Sequence, residues 1–459
     1  MRTMMIKTPR HMAVEILNRV EEEGAYAEPL LDASLSGHPQ TKLQDRRLIT
    51  EIVYGTLRMR GHLDWVIERL YRGKFNTMDV SIRNILRTGL YQLLFTERMP
   101  DFAIVDEAVE ITKKMHRRGS GLVNAILRNF IRKKDQIAYP EIGKDPALNI
   151  SIVHSHPLWM VKKWIEMFGV EETAALCKAN NQIPPAAVRV NTLKTTRERT
   201  KEELSQHGFE VKETAFSPDG LIISNLAMSA RETDSYASGK IQVQDEASQL
   251  IARLVAPKPG ENILDMCAGM GGKTTHLAAI MENRGSILAL DMCKKKIDAL
   301  CKNVKRLDVA IVDTQVGDAR EKPGKAFAES FDRILVDAPC AGLGTLRRNP
   351  EIKWRALPAD AEKCSVLQKA ILENAAPYLK RGGSLIYSTC TITEEENEEV
   401  IEDFTNRHPD FICIRPPDTI NSSLVDDHGY FRSYPHRHGT DGFFGAVLVK
   451  GMEGEKQND

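Results

Sequence analysis

From residue 236 onward the sequence alternates short apolar runs with amphipathic stretches, and no other feature restricts the fold as much. The runs ENILDMC, SILALD, AIVDTQV, DRILVDA, SLIYSTC and FFGAVLV have the length of strands. Stretches near 273–282, 294–307, 360–379 and 394–407 carry helical spacing between them. Strand–helix–strand repetition implies a parallel sheet covered on both faces. Ligands of such sheets bind beyond the carboxyl ends of the strands, so the residues that close each run are the ones to inspect.

The front of the chain has a different period. Over residues 9–134 apolar positions recur at helical spacing, as in Leu122, Val123, Ile126, Leu127, Phe130 and Ile131, which predicts an all-α bundle. Arg117, Arg118, Arg128, Arg132, Lys133 and Lys134 fall on the opposite sides. Tyr139-Pro140, Gly143, Pro146 and His156-Pro157 interrupt the pattern over 135–158, which reads as a linker. An amphipathic helix near 158–168 follows. Strands are then expected in PAAVRVNTLK, FEVKE and LIIS, with a helix in TTRERTKEELSQHG ended by Gly208. The 459 residues thus divide into a helical domain (1–140), a small α/β module (141–235), an α/β domain (236–452) and a polar tail (453–459).

The 63 basic and 63 acidic side chains balance overall but not along the chain: the net charge is +6 over residues 1–140, −2 over 141–235 and −4 over 236–459. A basic front domain fits a polyanionic partner and fits ordinary solvated helix faces equally. No apolar stretch approaches the roughly 18–20 residues of a membrane helix, and no apolar run follows the basic start as a secretory signal requires. A soluble cytoplasmic protein is expected, with no membrane partner. The eight cysteines lack the paired spacing of a zinc site, so no metal is expected.

The first apolar run ends in Asp265, Met266, Cys267, Ala268, Gly269, Met270, Gly271, Gly272 and Lys273, before a helix. Glycines here let a ligand approach the backbone, and a helix start offers unpaired N–H groups. A dinucleotide fingerprint would need glycine where Thr274 stands, so a pyrophosphate grip is not expected. Asp291 closes the second run, 22 residues after Gly269, where a carboxylate can hold a ribose diol; Asp318 closes the third. Taken singly each aspartate is also a cap or a turn former. Together they fit a nucleoside cofactor without a diphosphate, of which S-adenosylmethionine is the commonest.

The fourth run ends in Asp337, Ala338, Pro339 and Cys340, the fifth in Ser388, Thr389 and Cys390. Two cysteines at matching strand ends beside Asp337 sit over the crevice and not in the core. Methylation of cytosine carbon 5 needs such a pair. That carbon is a poor nucleophile until a thiolate adds to carbon 6 and pushes electron density onto it. Afterwards a base must take the carbon 5 proton so that sulfur can leave, and an acidic group near nitrogen 3 neutralises charge. A free thiol of pKa about 8.5 is only a few per cent ionised at neutral pH; a neighbouring Lys273 would raise that fraction.

DMCAGMGGKTTH, ILALD, VGDAR, DAPCAGLGTLRRNPEIKW, IYSTCTITEEENEEV and PHRHGTDGFFGAVL together resemble the RsmB (Sun/Fmu) family of 16S ribosomal RNA cytosine-5 methyltransferases. The resemblance covers essentially residues 1–450, with a front domain similar to the NusB family of RNA-binding domains and KIQVQDEASQL similar to the entry of a Rossmann-like catalytic domain. It implies Cys390 as nucleophile, Cys340 as the residue assisting product release, Asp337 against the base and Lys273 approaching the same place. It implies a cofactor site of Asp291, Asp318 and Asp337 with the loop Cys267, Ala268, Gly269, Gly271, Gly272 and Lys273. The implied partner is 16S ribosomal RNA or a small-subunit assembly intermediate, bound by a monomer. Gly269 and Met270 replace the family's usual Ala-Pro, and Ala341, Gly342 and Leu343 its usual Ser-Gly-Thr; neither removes an implied catalytic group. Two other readings stay open at this level: an assembly factor with a vestigial catalytic domain, and a cytosine-5 methyltransferase of transfer RNA.

Other features have plainer readings. His436 and His438 read as a turn near the site mouth, Trp159 and Trp164 as packing, and Arg347 and Arg348 as either phosphate contacts or solvated side chains. The acidic run Glu394, Glu395, Glu396, Glu398 and Glu399 reads as a helix start, where negative charge complements the dipole.

Overall fold

The computed structural model describes residues 8–97, 99–224, 230–321 and 328–452, so the tail expected at 453–459 lies outside the described residues. The chain forms two compact units, one of residues up to Ile183 together with Leu346–Ala356, the other of Pro184–Thr345 together with Leu357 onward.

The first unit is helical. Thr8, Asp79 and Asp145 cap the helices Pro9–Glu22, Val80–Phe95 and Pro146–Val153 by accepting from first-turn amides. The apolar stripe of Ser120–Lys133 buries Val123, Ile126, Leu127 and Phe130 against Leu63, Val66, Ile85 and Leu90. Arg87 is buried among them, its guanidinium held by Asp64 at 2.6 and 2.8 Å and by Glu21 at 2.6 Å. The segment expected as a linker contains the helix Pro146–Val153. Its sequence PALNISIV is apolar on nearly every side, so no stripe marks it. The helix expected over 158–168 runs on to Asn180, broken at Gly169, whose φ is +78°.

Leu346–Ala356 belongs to this helical unit although it follows the Cys340 loop in sequence. Lys353 is fully buried there and donates to Arg58 O at 2.7 Å, Ser155 O at 2.9 Å and Asn181 Oδ1 at 2.9 Å. Trp354 Nε1 donates to Leu57 O at 2.7 Å, and Glu351 accepts from the Ala27 amide at 2.8 Å. Arg347 is 4% exposed, so it is not the solvated side chain that one reading expects.

The second unit holds two sheets. Strands β1 (Ala186–Val190), β2 (Glu210–Glu213), β3 (Gly220–Ser224) and β4 (Ile241–Val243) form an antiparallel sheet in the order β2-β3-β1-β4. Val188, Val190, Leu204, Leu221 and Ile223 make its core. The larger sheet contains β5 (Asn262–Asp265), β6 (Ser286–Asp291), β7 (Val312–Val316), β8 (Phe331–Asp337), β9 (Leu379–Thr389), β10 (Phe411–Ile414) and β12 (Phe443–Lys450) in the order β10-β12-β9-β8-β5-β6-β7, with β11 (Phe431–Ser433) paired to β12. Alternate residues face opposite cores: Leu264, Ile334, Val336 and Tyr387 on one side, Ile263, Ile287, Leu335 and Ile386 on the other. Burial of both faces is why the central strands β5, β8 and β9 carry apolar runs, while the edge strand β7, VDTQV, is half-exposed.

The sheet departs from the all-parallel expectation at one edge, where FFGAVLV runs antiparallel to β9, β10 and β11. Only residues 434–442 separate β11 from β12, fewer than the dozen or more that a parallel crossover needs. The five strands β7, β6, β5, β8 and β9 are parallel, and their order turns at β5, where β6 lies on one side and β8 on the other.

Candidate active site

The turning point gathers the strand ends. β8 and β9 are parallel neighbours with Asp337 opposite Ser388, so the loops leaving them begin side by side. Cys340 Sγ and Cys390 Sγ lie 3.2 Å apart. Both residues are half-buried. Ser388 Oγ donates to Asp337 Oδ1 at 2.8 Å, and Lys273 Nζ meets Asp337 Oδ2 at 2.5 Å. The ammonium also lies 5.2 Å from the Phe443 ring centroid. Four residues at or just beyond the ends of β5, β8 and β9 thus form two pairs.

Backbone shape keeps the cysteine loop there. The Gly344 amide donates to Cys390 O at 3.0 Å, and the Gly442 amide to Gly344 O at 2.8 Å. A Cβ on Gly344 would stand 2.0 Å from Gly442 O, so the two loops can cross only with glycine. The Cys340 thiol is pushed well above its usual range, first by its hydrogen bond with Cys390 and then by burial and by the charges of Cys390 and Glu396.

The loop after β5 turns through Gly269 (φ +58°) and Gly271 (φ +83°) into the helix Gly272–Ile280. Asp291 binds its own neighbourhood: Oδ2 accepts from the Gly269 amide at 3.1 Å, and Oδ1 from the Cys293 amide at 2.8 Å. Asp318 is clasped by Arg320, which holds its carboxyl below the ordinary range. Met270, Met292 and Val316 leave large apolar surface exposed at the ends of β5, β6 and β7. An apolar rim beside carboxylates on β6 and β7, and a glycine loop leading to a helix start, fit an adenosine carrying a methionine side chain.

Sequence reasoning passed over several groups beneath this loop. Asp265 is fully buried and accepts from Thr274 Oγ1 at 2.7 Å. Burial pushes its carboxyl up to about 7, with Asp337 adding to the rise. Burial likewise pushes up the thiol of Cys267, a residue the sequence had already marked. Arg189 of β1 is 1% exposed and donates to Gly272 O at 2.6 Å, Gln244 Oε1 at 2.8 Å and Thr275 Oγ1 at 3.1 Å, tying the small sheet to the glycine loop after β5. Nothing in its position between two apolar strand residues signalled this. Glu396, read as part of a helix start, is also fully buried.

His436 and His438, read as a turn, lie in the short helix Pro435–His438; His438 Nδ1 accepts from the Tyr434 amide at 2.9 Å and Nε2 faces Ser423 O at 3.2 Å. Trp164 is fully buried in the helical unit. Among the described residues no group of three or more His, Cys, Asp or Glu is placed to hold a metal ion, and no helix is long and apolar enough to cross a membrane.

Comparison with known proteins identifies the parts. Residues 252–449 match the family described as 16S rRNA methyltransferase RsmB/F, residues 7–132 the NusB family, and residues 156–228 an RsmF/B-like ferredoxin-like domain. A Bacillus subtilis protein named probable ribosomal RNA small subunit methyltransferase B is 36% identical over 96% of this chain and 98% of its own. The ribosomal RNA small subunit methyltransferase B of Pectobacterium carotovorum is 33% identical, with 96% and 98% covered. Among solved structures, PH0851 superimposes with a TM-score of 0.82 at 30% identity over 97% of this chain and 100% of its own. NSun6 from Pyrococcus horikoshii with SFG gives 0.59 at 25% identity over 66% and 100%. S-adenosylmethionine is the methyl donor of this methyltransferase class, in agreement with the groups at the ends of β5, β6 and β7. Related along nearly its whole length, the chain belongs to the RsmB family of small-subunit ribosomal RNA methyltransferases.

Proposed function

We propose that the chain methylates carbon 5 of a cytosine in small-subunit ribosomal RNA through a transient bond between Cys390 and carbon 6 of the base. The observation that carries this reading is the sulfur pair, 3.2 Å apart at the ends of two adjacent parallel strands and next to the Lys273–Asp337 pair. A methyltransferase acting on an oxygen or an exocyclic nitrogen has no use for two converging thiols.

Bound against Asp291, Asp318 and the Cys267–Lys273 loop, S-adenosylmethionine supplies an electrophilic methyl group on a sulfonium. The protein does the rest. Cys390 Sγ bonds to carbon 6, and the carbon 5–carbon 6 electron pair moves to carbon 5 while nitrogen 3 takes a proton from the Asp337–Lys273 pair. Carbon 5 then takes the methyl group. Once Cys390 is bonded to carbon and no longer charged, Cys340 gives its proton to solvent, and its thiolate accepts the hydrogen of carbon 5. The electron pair returns to the ring, the carbon 6–sulfur bond breaks towards Cys390, and nitrogen 3 gives its proton back. A target held in a stem must first be flipped out, which costs about a few kcal/mol.

Cys390→Ala is expected to abolish methylation, and Cys340→Ala to accumulate a covalent protein–RNA complex that survives a denaturing gel. Bisulfite sequencing of ribosomal RNA from a strain lacking the gene should show one cytosine losing its mark. Full methylation by the Cys390→Ala protein would overturn the proposal, and a lost mark in transfer RNA would move it to another substrate.

A further inference from the structure

Of the acidic run that follows Cys390, Glu394 and Glu399 are exposed while Glu396 is fully buried. Burying a carboxylate is unfavourable unless donors surround it. Here they come from three places. The amide of Ala341, the residue after Cys340, donates to Oε1 at 2.8 Å; Gln368 Nε2 donates to the same oxygen at 3.2 Å; Thr393 Oγ1 donates to Oε2 at 2.7 Å. Two amide donors on Oε1 and a hydroxyl on Oε2 favour the carboxylate form over the neutral one. Burial raises this carboxyl above the ordinary range, and these donors limit the rise.

The arrangement grips the cysteine loop from both sides. Gln368, on the helix Asp360–Ala375, also donates to Pro339 O at 2.9 Å, so the residues before and after Cys340 are both held by the Gln368–Glu396 pair. Glu396 itself is fixed from behind: Tyr387 OH donates to its carbonyl at 2.5 Å, and its neighbour Asn397, also fully buried, accepts from Thr389 Oγ1 at 2.6 Å. The charge is felt locally. Cys364, on the same helix as Gln368, has its thiol pushed up to about 11 by burial and then by Glu396. None of the roles of Cys390, Cys340, Asp337 and Lys273 uses this carboxylate.

Sulfurs 3.2 Å apart do not both carry a negative charge, so the singly ionised pair holds one proton and one charge. Which sulfur keeps the proton decides whether the pair attacks through Cys390 or through Cys340. We propose that Glu396 is a positioning residue of the methyl-transfer centre: it anchors the Cys340 loop through Ala341 and sets a fixed negative charge behind Cys340, so that the shared proton stays on Cys340 and the charge on Cys390. This rests on Cys390 being the nucleophile. It assigns the acidic run a task that helix-dipole chemistry does not cover.

The test needs no RNA. The full-length protein is treated with limiting iodoacetamide, and carboxamidomethylation at each cysteine is read by peptide mass spectrometry. In the native protein Cys390 is expected to be labelled ahead of Cys340. In Glu396→Gln, where an amide oxygen still accepts from Ala341 but the charge is gone, the Cys390-to-Cys340 labelling ratio should fall about tenfold, the effect of about one pKa unit. A ratio unchanged in Glu396→Gln overturns the proposal. So does a parallel rise at both cysteines, which would mean only a loosened loop. Failure here is separable from failure of the cytosine-5 reading, which methylation by Cys390→Ala tests by itself.

Discussion

At the scale of single residues, the site is a set of charges whose values depend on burial. Asp265 illustrates the sign. Its folded carboxyl titrates near 7 against an ordinary value of 3.8, so between those values the folded state keeps a proton that the unfolded chain gives up. Stability therefore falls as pH rises through that window, by up to about 1.4 kcal/mol per pH unit from this one group. Asp265→Asn removes the contribution, and urea midpoints measured from pH 4 to 7 should decline less steeply in the variant. Equal slopes would mean that the carboxyl is already ionised in the folded protein. The residues legible in sequence were those whose place follows from strand ends: Cys340, Cys390, Asp337 and Asp291 are where alternation of strands and helices puts them. Glu396 and Arg189 were not legible. Their burial depends on donors and acceptors brought from elsewhere in the chain, such as Ala341 and Gln368 for the first and Gly272 and Thr275 for the second.

At the scale of elements, the parallel strands could be read from apolar runs because both faces are buried, whereas the antiparallel edge was fixed by a connection too short to cross over. The helix Pro146–Val153 escaped because its apolar residues form no stripe. The crossing of the Cys340 loop and the chain entering β12 is likewise a property of two segments together. A methyl group on Gly344 meets the carbonyl of Gly442, and backbone cannot yield as a flexible side chain does. Gly344→Ala is therefore expected to lower the single-turnover methylation rate by about a hundredfold, as a misplacement of about 1 Å does. Its affinity for S-adenosylmethionine, measured by calorimetry, should stay close to that of the native protein. A matching loss of affinity would show that the substitution disturbs the whole sheet end and not the cysteine loop.

For the whole molecule, a net charge of zero concealed a basic helical front, and the family comparison assigns that front to the NusB family. What sequence could not reveal is that the helical unit also owns Leu346–Ala356. Lys353 is the anchor of that segment. Lys353→Met leaves two buried acceptors and the half-buried Asn181 Oδ1 without the ammonium, and at about 1 kcal/mol for each buried one the helical unit should lose about 2 kcal/mol in denaturant unfolding. A loss below about 1 kcal/mol would show that the pocket recruits water in place of the ammonium. The same segment sets a rule for anyone dividing the gene. A single cut after Ile183 does not yield an independent catalytic fragment, because Leu346, Lys353 and Trp354 travel with the wrong half and arrive with no helices to cover them. A separable enzyme core is expected to be more stable with that excursion excised and bridged than with it left uncovered.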